Sequence, residues 1–537
     1  MVGQIITKGK NAYRRVRMIL SWIKNFGVDN TKYMLQQDKM RRRDIYNMWS
    51  CSENEVKKAQ KEYASNDIAI QIISVPRDEH SADNWNKQIS RGEATYYLCK
   101  MDDIILSELA EWAIASYIKR ENKQIVYFDE RQCNDYLYKP DFGIDTALAQ
   151  NYFGGAICIS KELWNKIGGF DKAIPYAALY DSLIKSYDLY GEKIVGHVNK
   201  PVIWRKTDVE DEDEIASCQE TIAVEKHLER CGKTAQVVRL SENLRQINYE
   251  IQNHPKISII IPNKDNIAIL KQCIDSIVDK SSYDNYEIII VENNSTDKAT
   301  FDYYQMLTQK KDMQQQIRVV ECVTDWNYSY INNYGIHYAS GDYIVLLNND
   351  TEVITADWME QLLQYAQQNE IGIVGAKLLY PDGTIQHGGV TLGIRGVAGH
   401  AFHGWNGDAS GYMNRLITVQ DLTAVTAACL MIPKEIFDKI DGLDEQFKVA
   451  FNDTDLCMRV RKAGYRVVYN PKACLYHHES KSRGSDEQSA EKMKRFNRES
   501  MRFQRMYCKE LLRGDSYYND NLRTDSDDFE IREDRIG

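Results

Sequence analysis

The chain has 537 residues and a formal net charge of −10, with 43 % hydrophobic and 27 % charged residues. This length predicts two or three domains, and the acidic balance argues against broad nucleic-acid binding. No apolar run reaches the roughly eighteen residues of a membrane span, and no signal-peptide pattern is recognisable. The twelve cysteines lie without a CxxC pair, which argues against a zinc site or a disulfide framework and favours a cytoplasmic protein.

Residues 1–68 are polar and are predicted to be helical. Residues 5–26 combine basic side chains with apolar ones, a pattern of an amphipathic helix. Such a helix either docks on the rest of the protein or lies on an anionic membrane surface. The second alternative would place the protein at the inner face of the cell membrane as a peripheral protein.

From residue 253 onward, short apolar runs alternate with amphipathic stretches. The runs occupy residues 257–261, 286–291, 317–320, 343–347 and 371–374. This alternation predicts an α/β domain with a mostly parallel sheet flanked by helices. Polar residues follow three of the runs, at 262–265, 292–295 and 348–350, and ligands of open parallel sheets bind at such strand ends.

An internal repeat divides the chain. Residues 159–171 resemble residues 432–444, and residues 69–103 follow the same plan as residues 316–351. The sequence therefore predicts a truncated, degenerate copy (69–209), a helical linker (210–252), a complete copy (253–485) and a C-terminal helix and tail (486–537). The first copy lacks counterparts of 257–265 and 286–297, so we expect it to be non-catalytic; the alternative is an independent transferase or an acceptor-binding module.

Three segments of the second copy carry residues suited to chemistry on a diphosphate. Asp350 directly follows an apolar run and can hold a divalent cation. Asp453 lies at the predicted start of a helix and can accept a proton from a substrate hydroxyl. His477 can ligate the cation as a neutral imidazole, and Lys481 and Arg483 can neutralise phosphate charge.

Each of these segments also has a simpler interpretation. Asp350 could cap a helix, and Asp455 could form an ordinary ion pair with Arg459 four residues later. The double histidine at 477–478 could belong to a solvated loop. Their joint occurrence behind five alternating runs favours a functional site.

With these motifs in place, the second copy resembles the family 2 glycosyltransferases of GT-A fold. Among them it resembles enzymes that build bacterial O-antigen, rhamnan and other cell-envelope polysaccharides. The resemblance rests on residues 258–265, 291–297, 346–351, 385–389, 451–455 and 477–484. The first copy resembles, in eroded form, the leading half of two-domain members of this group.

The resemblance implies a role for each matching residue. Asp453 would be the catalytic base, and Asp350 and His477 would hold Mn²⁺ or Mg²⁺. Asn348 occupies the place of the first acid of the family's Asp-x-Asp motif, which leaves Asp350 as the ligand there. The nucleotide-sugar donor would be bound by Pro262, Asn263, Asp265, Glu292, Asn293, Asn333, Asn348, Asn349, Lys481 and Arg483.

These roles imply inverting transfer of a sugar from dTDP-rhamnose or a UDP-hexose. The acceptor would be a hydroxyl of a glycan or lipid-linked glycan, contacted by His387, Thr426 and Asp455. The alternative function is a non-catalytic sugar-binding or scaffolding protein of a polysaccharide assembly complex. A nucleotidyltransferase is disfavoured because no Gly-rich phosphate loop opens the domain.

Overall fold

The computed structural model describes residues 48–49, 51–132, 135–205, 213–309, 316–478 and 489–532. The predicted amphipathic helix at residues 5–26 lies outside these ranges. Within them, no helix is both long enough and apolar enough to cross a membrane. Two large sheets, joined by a helix and a hairpin, form the body of the molecule.

The first sheet and its helices occupy residues 53–205. Its strands are β1 (Ile70–Val75), β2 (Tyr96–Met101), β3 (Ile104–Leu106), β4 (Ile125–Gln132), β5 (Asp135–Leu137), β6 (Ala156–Ser160) and β7 (Val195–Arg205). Its helices are α1 (Glu53–Ala64), α2 (Ser81–Arg91), α3 (Ala110–Glu121), α4 (Ile144–Ala149), α5 (Lys161–Lys166) and α6 (Ala178–Tyr190), with 3₁₀ turns at Pro175–Ala177 and Glu192–Ile194.

The linker departs from its prediction. Helix α7 (Asp213–Arg230) covers its first half, but β8 (Ala235–Ser241) and β9 (Leu244–Tyr249) form an antiparallel hairpin. The strands include the β-branched residues Val237, Val238 and Ile247, which favour strand over helix. The prediction of a wholly helical linker is therefore wrong for residues 235–249.

The second sheet begins at β10 (Ile257–Asn263), whose seven residues are all buried. Its other strands are β11 (Tyr286–Glu292), β12 (Ile317–Glu321), β13 (Tyr343–Leu347), β14 (Thr351–Val353), β15 (Ile371–Leu379), β16 (Ile385–His387), β19 (Gln420–Leu422), β20 (Cys429–Pro433) and β21 (Arg466–His477). A separate hairpin consists of β17 (Val390–Leu392) and β18 (Ala398–His400).

Helices flank this sheet on both faces. They are α8 (Ile267–Lys280), α9 (Lys298–Gln309), α10 (Tyr328–Ile336), α11 (Trp358–Ala366), α12 (Lys434–Lys439) and α13 (Asn452–Lys462), followed by α14 (Ala490–Met506) and α15 (Cys508–Arg513). Short 3₁₀ turns lie at Ile394–Gly396 and Tyr412–Asn414. All five runs singled out in the sequence are strands of this sheet.

The two sheets share one topology. The strand order of the second is β12-β11-β10-β13-β20-β15-β21-β14, and that of the first is β1-β2-β6-β4-β7-β3. Removing β11 and β10 makes the two orders correspond strand for strand. Directions agree as well: β2–β6 and β13–β20 are antiparallel, whereas β4–β7 and β15–β21 are parallel. The predicted α/β fold with a truncated copy of itself is confirmed. Each sheet is mixed, because β6 and β20 run antiparallel to both of their neighbours and the edge strands β3 and β14 are antiparallel as well.

Buried polar contacts join the two copies. Arg466 at the start of β21 donates from Nε to Oδ2 of Asp145 in α4 at 2.9 Å. Asp421 in β19 accepts from the backbone N–H of Thr146 at 2.9 Å, and its own N–H donates to the Thr146 hydroxyl at 2.8 Å. Because these groups are buried and paired, they fix the orientation of one copy against the other.

The tail after α15 packs back across both copies. Asn519 donates from Nδ2 to both carboxylate oxygens of Asp129 in β4, each at 3.0 Å. Asp515 accepts from the N–H of Leu392 in β17 at 2.8 Å and from the Thr423 hydroxyl at 2.7 Å. The tail therefore connects the first sheet to the β17–β18 hairpin of the second copy.

Candidate functional site

A cavity of about 840 Å³ opens at the carboxyl ends of β10 and β13. The start of α13, the end of β21 and the β17–β18 hairpin complete its walls. Eight residues predicted to be functional line it: Pro262, Asp265, Asn348, Asn349, Asp350, Thr426, Asp453 and His477. Strand ends converge here because β10 and β13 are parallel neighbours, so both end at the same sheet edge.

Asp350 and His477 are brought together by pairing of their strands. Thr351 in β14 lies opposite His477 in β21, and the N–H of His478 donates to the carbonyl of Asp350 at 2.8 Å. Oδ1 of Asp350 consequently lies 3.2 Å from Nε2 of His477, with both side chains 7 % exposed. Burial acts to raise the pKa of Asp350, but the hydrogen bond and charge of His477 lower it below its usual value.

The donor atoms of this pair fit a divalent cation. Two neighbouring ligands at about 2.1 Å from one octahedral cation lie about 3 Å apart, close to the observed separation of the two atoms. The amide Nδ2 of Asn348 also lies 3.2 Å from Nε2 of His477. Nε2 of His477 would have to accept a hydrogen bond from Asn348 and donate one to Asp350, and a single ring nitrogen cannot do both. A cation held by Oδ1 and Nε2 would use a lone pair of each. Nδ1 of His477 is buried with no hydrogen-bond partner among the described residues.

Asp453 lines the same cavity but is not a third ligand. Among the described residues, one group of three potential metal ligands has its donor atoms within 4.8 Å of one another. It consists of Asp188, His227 and Cys231 in the first copy and linker, and it does not include Asp453. Asp350 and His477, the two ligands expected from the sequence, therefore lie together, and Asp453 lies apart from them.

The start of α13 fixes the carboxylate of Asp453. Phe451 precedes the helix in a left-handed conformation, with φ of 62°, and packs against Phe503 of α14. Oδ1 of Asp453 accepts from the N–H of Thr454 at 2.7 Å, and Oδ2 accepts from the N–H of Ala427 at 3.4 Å. The carboxylate is thus half-buried at the cavity wall, held by backbone donors and without a cationic partner at salt-bridge distance among the described residues.

The wall next to β10 is built around Asp265. This residue has a φ of 52° and accepts from the N–H groups of Thr296 and Asp297 at 2.8 and 2.9 Å. These contacts lower the pKa of its carboxyl, with the Asp297 N–H as the largest cause. Asn349 reaches the cavity while its Nδ2 donates to Asn263 at 2.7 Å.

Four other residues predicted to bind the nucleotide sugar are held by protein groups. Asn263 is fully buried and donates to the hydroxyl of Tyr304, which in turn donates to Glu292. Asn293 donates to the backbone carbonyls at 322 and 324, and Asn333 on α10 binds the 443–445 loop. Contact of these four residues with the nucleotide sugar stays a prediction.

The acceptor predictions divide in the same way. Thr426 lines the cavity, whereas His387 is fully buried and Asp455 is 0 % exposed. Asp455 pairs with Arg459 at 2.8 Å and accepts from the hydroxyl of Tyr507 at 2.6 Å. The structure therefore does not place His387 or Asp455 on the cavity surface. Asp455 instead forms the ion pair with Arg459 that the simpler interpretation of α13 predicted.

Several lining residues were not predicted. They are Lys264, Trp326, Tyr328, Gln386, His400, Phe451 and Phe496. No periodic pattern or charged motif marks the aromatic members, because an aromatic residue after a strand is equally typical of a core. Lys481 and Arg483, predicted to face the diphosphate, lie outside the described residues.

Comparisons with known proteins place the second copy among the glycosyltransferases. Residues 258–441 match the family model described as Glycosyl transferase family 2. The chain is 33 % identical over 498 residues to the uncharacterized protein y4gI of Sinorhizobium fredii, covering 89 % of this chain and 54 % of that protein. It is 30 % identical over 445 residues to the O-antigen biosynthesis protein RfbC of Myxococcus xanthus, covering 79 % and 34 %. A solved mannosyltransferase, PcManGT from Pyrobaculum calidifontis in complex with GDP-Man and Mn²⁺, is 14 % identical with a TM-score of 0.35, covering 44 % of this chain and 61 % of that one.

Residues 258–441 thus form a glycosyl transferase domain. The match to glycosyl transferase family 2 covers this domain, about a third of the chain. The chain spans 54 % of the length of y4gI and 34 % of RfbC, so both relatives carry further sequence beyond the matched part.

Proposed function

We propose that this protein is an inverting glycosyltransferase that moves a sugar from a nucleoside-diphosphate sugar to a hydroxyl of a growing cell-envelope polysaccharide. The observation that carries the proposal is the placement of Asp350, His477 and Asp453 on one cavity at the strand ends of a family 2 domain. Asp350 and His477 together meet one requirement of the reaction, and Asp453 meets another.

Asp350 and His477 are suited to hold Mn²⁺ or Mg²⁺. When bound, the cation supplies Lewis-acid stabilisation of the negative charge on the leaving nucleoside diphosphate. Asp350 meets the requirement for a deprotonated ligand, since the pKa of its carboxyl is lowered below its ordinary value. Asn348 and Asn349 add neutral amide groups beside them at the same strand end.

Asp453 is suited to be the general base. It accepts the proton of the acceptor hydroxyl as that oxygen attacks the anomeric carbon, and the bond from this carbon to the diphosphate oxygen breaks in the same step. Among the cavity-lining carboxylates of the described residues, Asp350 is paired with His477, and the N–H contacts of Asp265 lower the pKa of its carboxyl, which makes it a weaker base. Asp453 remains as the carboxylate available to a hydroxyl.

The substrates follow from the family resemblance and from relatives. The name of RfbC places that protein in O-antigen biosynthesis, which supports a glycan or lipid-linked glycan as acceptor here. The donor is proposed to be dTDP-rhamnose or a UDP-hexose, and the site of action is the cytoplasm or the inner face of the cell membrane. A non-catalytic sugar-binding role remains the second candidate, favoured by the loss of two strands from the first copy.

A panel of nucleotide sugars distinguishes the two functions. The purified protein is incubated with dTDP-rhamnose, UDP-glucose, UDP-galactose and UDP-N-acetylglucosamine with Mn²⁺, and released nucleoside diphosphate is measured. Slow hydrolysis of one donor, together with calorimetric binding of the matching nucleoside diphosphate that needs Mn²⁺, is the expected result. Sugar binding without Mn²⁺-dependent nucleotide binding, and without hydrolysis of any donor, would favour the non-catalytic role.

A further inference from the structure

A group of potential metal ligands lies away from the cavity, where the linker meets the first copy. Asp188 is in the last turn of α6, His227 is in the last turn of α7, and Cys231 directly follows α7. These three residues lie outside the lining of the cavity that holds Asp350 and His477. Glycosyl transfer as proposed above gives them no role.

Helical spacing puts two of these ligands on one face of α7. His227 and Cys231 are four residues apart, and the N–H of Cys231 donates to the carbonyl of His227 at 3.0 Å, which continues the helical pattern by one residue. Side chains at this spacing lie one above the other on a helix surface. An imidazole and a thiol therefore face Asp188 of the neighbouring helix together, without a CxxC pair.

The three donor atoms lie near the separations found in a zinc site. Nδ1 of His227 lies 2.6 Å from Oδ1 of Asp188, and Sγ of Cys231 lies 3.8 Å from this Nδ1 and 4.0 Å from this Oδ1. Ligand atoms of tetrahedral zinc, at about 2.0 Å for nitrogen and oxygen and about 2.3 Å for sulfur, are about 3.3 to 3.6 Å apart. Side-chain shifts of less than about 1 Å would bring all three atoms to these separations.

The surroundings of the group favour a cation. Two helices end here, and helix C-termini carry partial negative charge. Arg230 donates from Nε to Oδ2 of Asp188 at 2.7 Å, which leaves Oδ1 for His227, and its guanidinium also lies 3.6 Å from Asp181. The carboxylates of Asp181 and Asp188, with a thiolate at Cys231, outnumber this guanidinium, so a divalent cation neutralises the group.

One side of the group is open to solvent. The side chains of Asp188 and His227 are each 3 % exposed, whereas Cys231 is exposed. A cation that enters on the side of Cys231 can keep a water as its fourth ligand. Thiolate, imidazole and carboxylate ligands suit zinc, whereas Mg²⁺ and Mn²⁺ prefer oxygen ligands.

We propose that Asp188, His227 and Cys231 bind a Zn²⁺ ion that fixes α7 of the linker to α6 of the first copy. Two residues beyond Cys231, Lys233 forms an ion pair with Glu370 of the second copy at 3.1 Å. Zinc at the end of α7 therefore stabilises the place where the linker passes from one copy to the other. This site does not depend on the proposed glycosyl transfer.

Cobalt tests the site through its sulfur ligand. The full chain is freed of bound metal with EDTA and titrated with Co²⁺, which shows a sulfur-to-cobalt charge-transfer band when a thiolate binds it. We expect this band in the wild-type protein and its loss when Zn²⁺ is added in excess. Cys231→Ala should remove the band, and circular dichroism should show that this variant, changed at an exposed position, is folded.

Cys218 provides the matched control. It is also exposed and on α7, but it contacts Glu214 and Arg239. Cys218→Ala should keep the charge-transfer band of the wild-type protein. Zinc should raise the unfolding temperature of wild type and Cys218→Ala more than that of Cys231→Ala, because a ligand stabilises only the protein that binds it.

The carboxylate is tested by Asp188→Asn, which replaces a charged ligand by a neutral amide. Co²⁺ binding, followed by the same band, should weaken by at least about tenfold, since the loss of even an outer partner of a metal ligand has an effect of this size. A wild-type protein without the band, or a band that persists in Cys231→Ala, would overturn the proposal. The contact between His227 and Asp188 would then be an ion pair that holds no metal.

Discussion

The two copies within this chain share a strand order but differ at one sheet edge. In the second copy, Thr351 of β14 lies opposite His477 of β21; in the first, Ile104 of β3 lies opposite Arg205 of β7. A guanidinium thus occupies the register position of the imidazole that we propose as a metal ligand. Because guanidinium is always charged and repels a divalent cation, this single replacement is incompatible with a metal at that edge.

The missing strands remove a second requirement. Pro262, the last residue but one of β10, builds one wall of the cavity with Asp265, but the first copy pairs β1 directly with β2. The first sheet lacks the equivalents of β10 and β11 but remains continuous. Its strands β1 and β2 pair in parallel over six residues, as β10 pairs with its neighbours. Loss of the site therefore left the scaffold intact.

The largest expected effect comes from replacing the proposed base in the second copy and a buried acid in the first. Asp453→Asn should lower kcat of transfer about 10²- to 10⁴-fold, because an amide cannot accept the acceptor's proton. Asp181, an acid in the first turn of the equivalent helix α6 in the first copy, is buried, and burial raises the pKa of its carboxyl. Asp181→Asn should leave kcat unchanged, as measured by product formation at saturating donor. Near-normal turnover of Asp453→Asn would rule out the role given to this carboxylate.

A smaller effect separates two adjacent histidines. His477→Ala should weaken Mn²⁺-dependent nucleotide binding about 10- to 100-fold, because it removes one of two protein ligands. His478 faces Glu352 at 3.3 Å and does not line the cavity, so His478→Ala should change this affinity less than about threefold. Isothermal titration of nucleoside diphosphate with and without Mn²⁺ measures both, and equal losses in the two variants would contradict the assignment.

The contact between the copies should respond to pH. Burial, with the charge of Asp145, raises the pKa of Asp421 from 3.8 to about 7, although Arg466 acts to lower it. The stability that Asp421 contributes is complete below about pH 4 and is lost as the pH rises through about 7. Between pH 6 and pH 8, urea unfolding should show the free energy of unfolding falling by about 1.4 kcal/mol from this group.

Asp421→Asn tests that origin. The variant cannot ionise at this position, so its free energy of unfolding should fall less than that of the wild type over the same interval. An identical pH dependence in both proteins would assign the effect to other groups.

The smallest effect concerns the tail. Asp515→Asn should weaken the contacts to Leu392 and Thr423 that hold the β17–β18 hairpin, and so raise the acceptor KM about threefold. Faster hydrogen exchange at the Leu392 amide is the accompanying structural readout. Asp525→Asn, at an exposed tail residue paired with Arg523, is the matched control and should change neither value.

The sequence predicted the parts of this molecule that depend on local pattern. Alternating apolar runs located all five strands singled out in the second copy, and polar strand ends located Asp350 and Asp265 on one cavity. The repeat was also readable, because both copies retain the same turn after β6 and β20. These features depend on the order of neighbouring residues, so a single sequence is enough to find them.

The remaining site residues depend on side-chain direction across long sequence separations. Asn263 and Glu292 lie at strand ends, as lining residues do, but a strand alternates its faces, and theirs are turned into the network around Tyr304. His387 was predicted in contact with substrate, whereas His400, thirteen residues later, lines the cavity. Only tertiary packing distinguishes two histidines of this kind.

The docking of residues 515–531 has a consequence for the order in which the molecule matures. Their contacts to Leu392 and Asp129 bridge positions more than a hundred residues earlier, so a growing chain completes both sheets before this segment is synthesised. Until then the β17–β18 hairpin lacks its anchor at Asp515. The half of the cavity that would receive the glycan is therefore the last to acquire its final shape, after the strand ends around Asp350 are already in place.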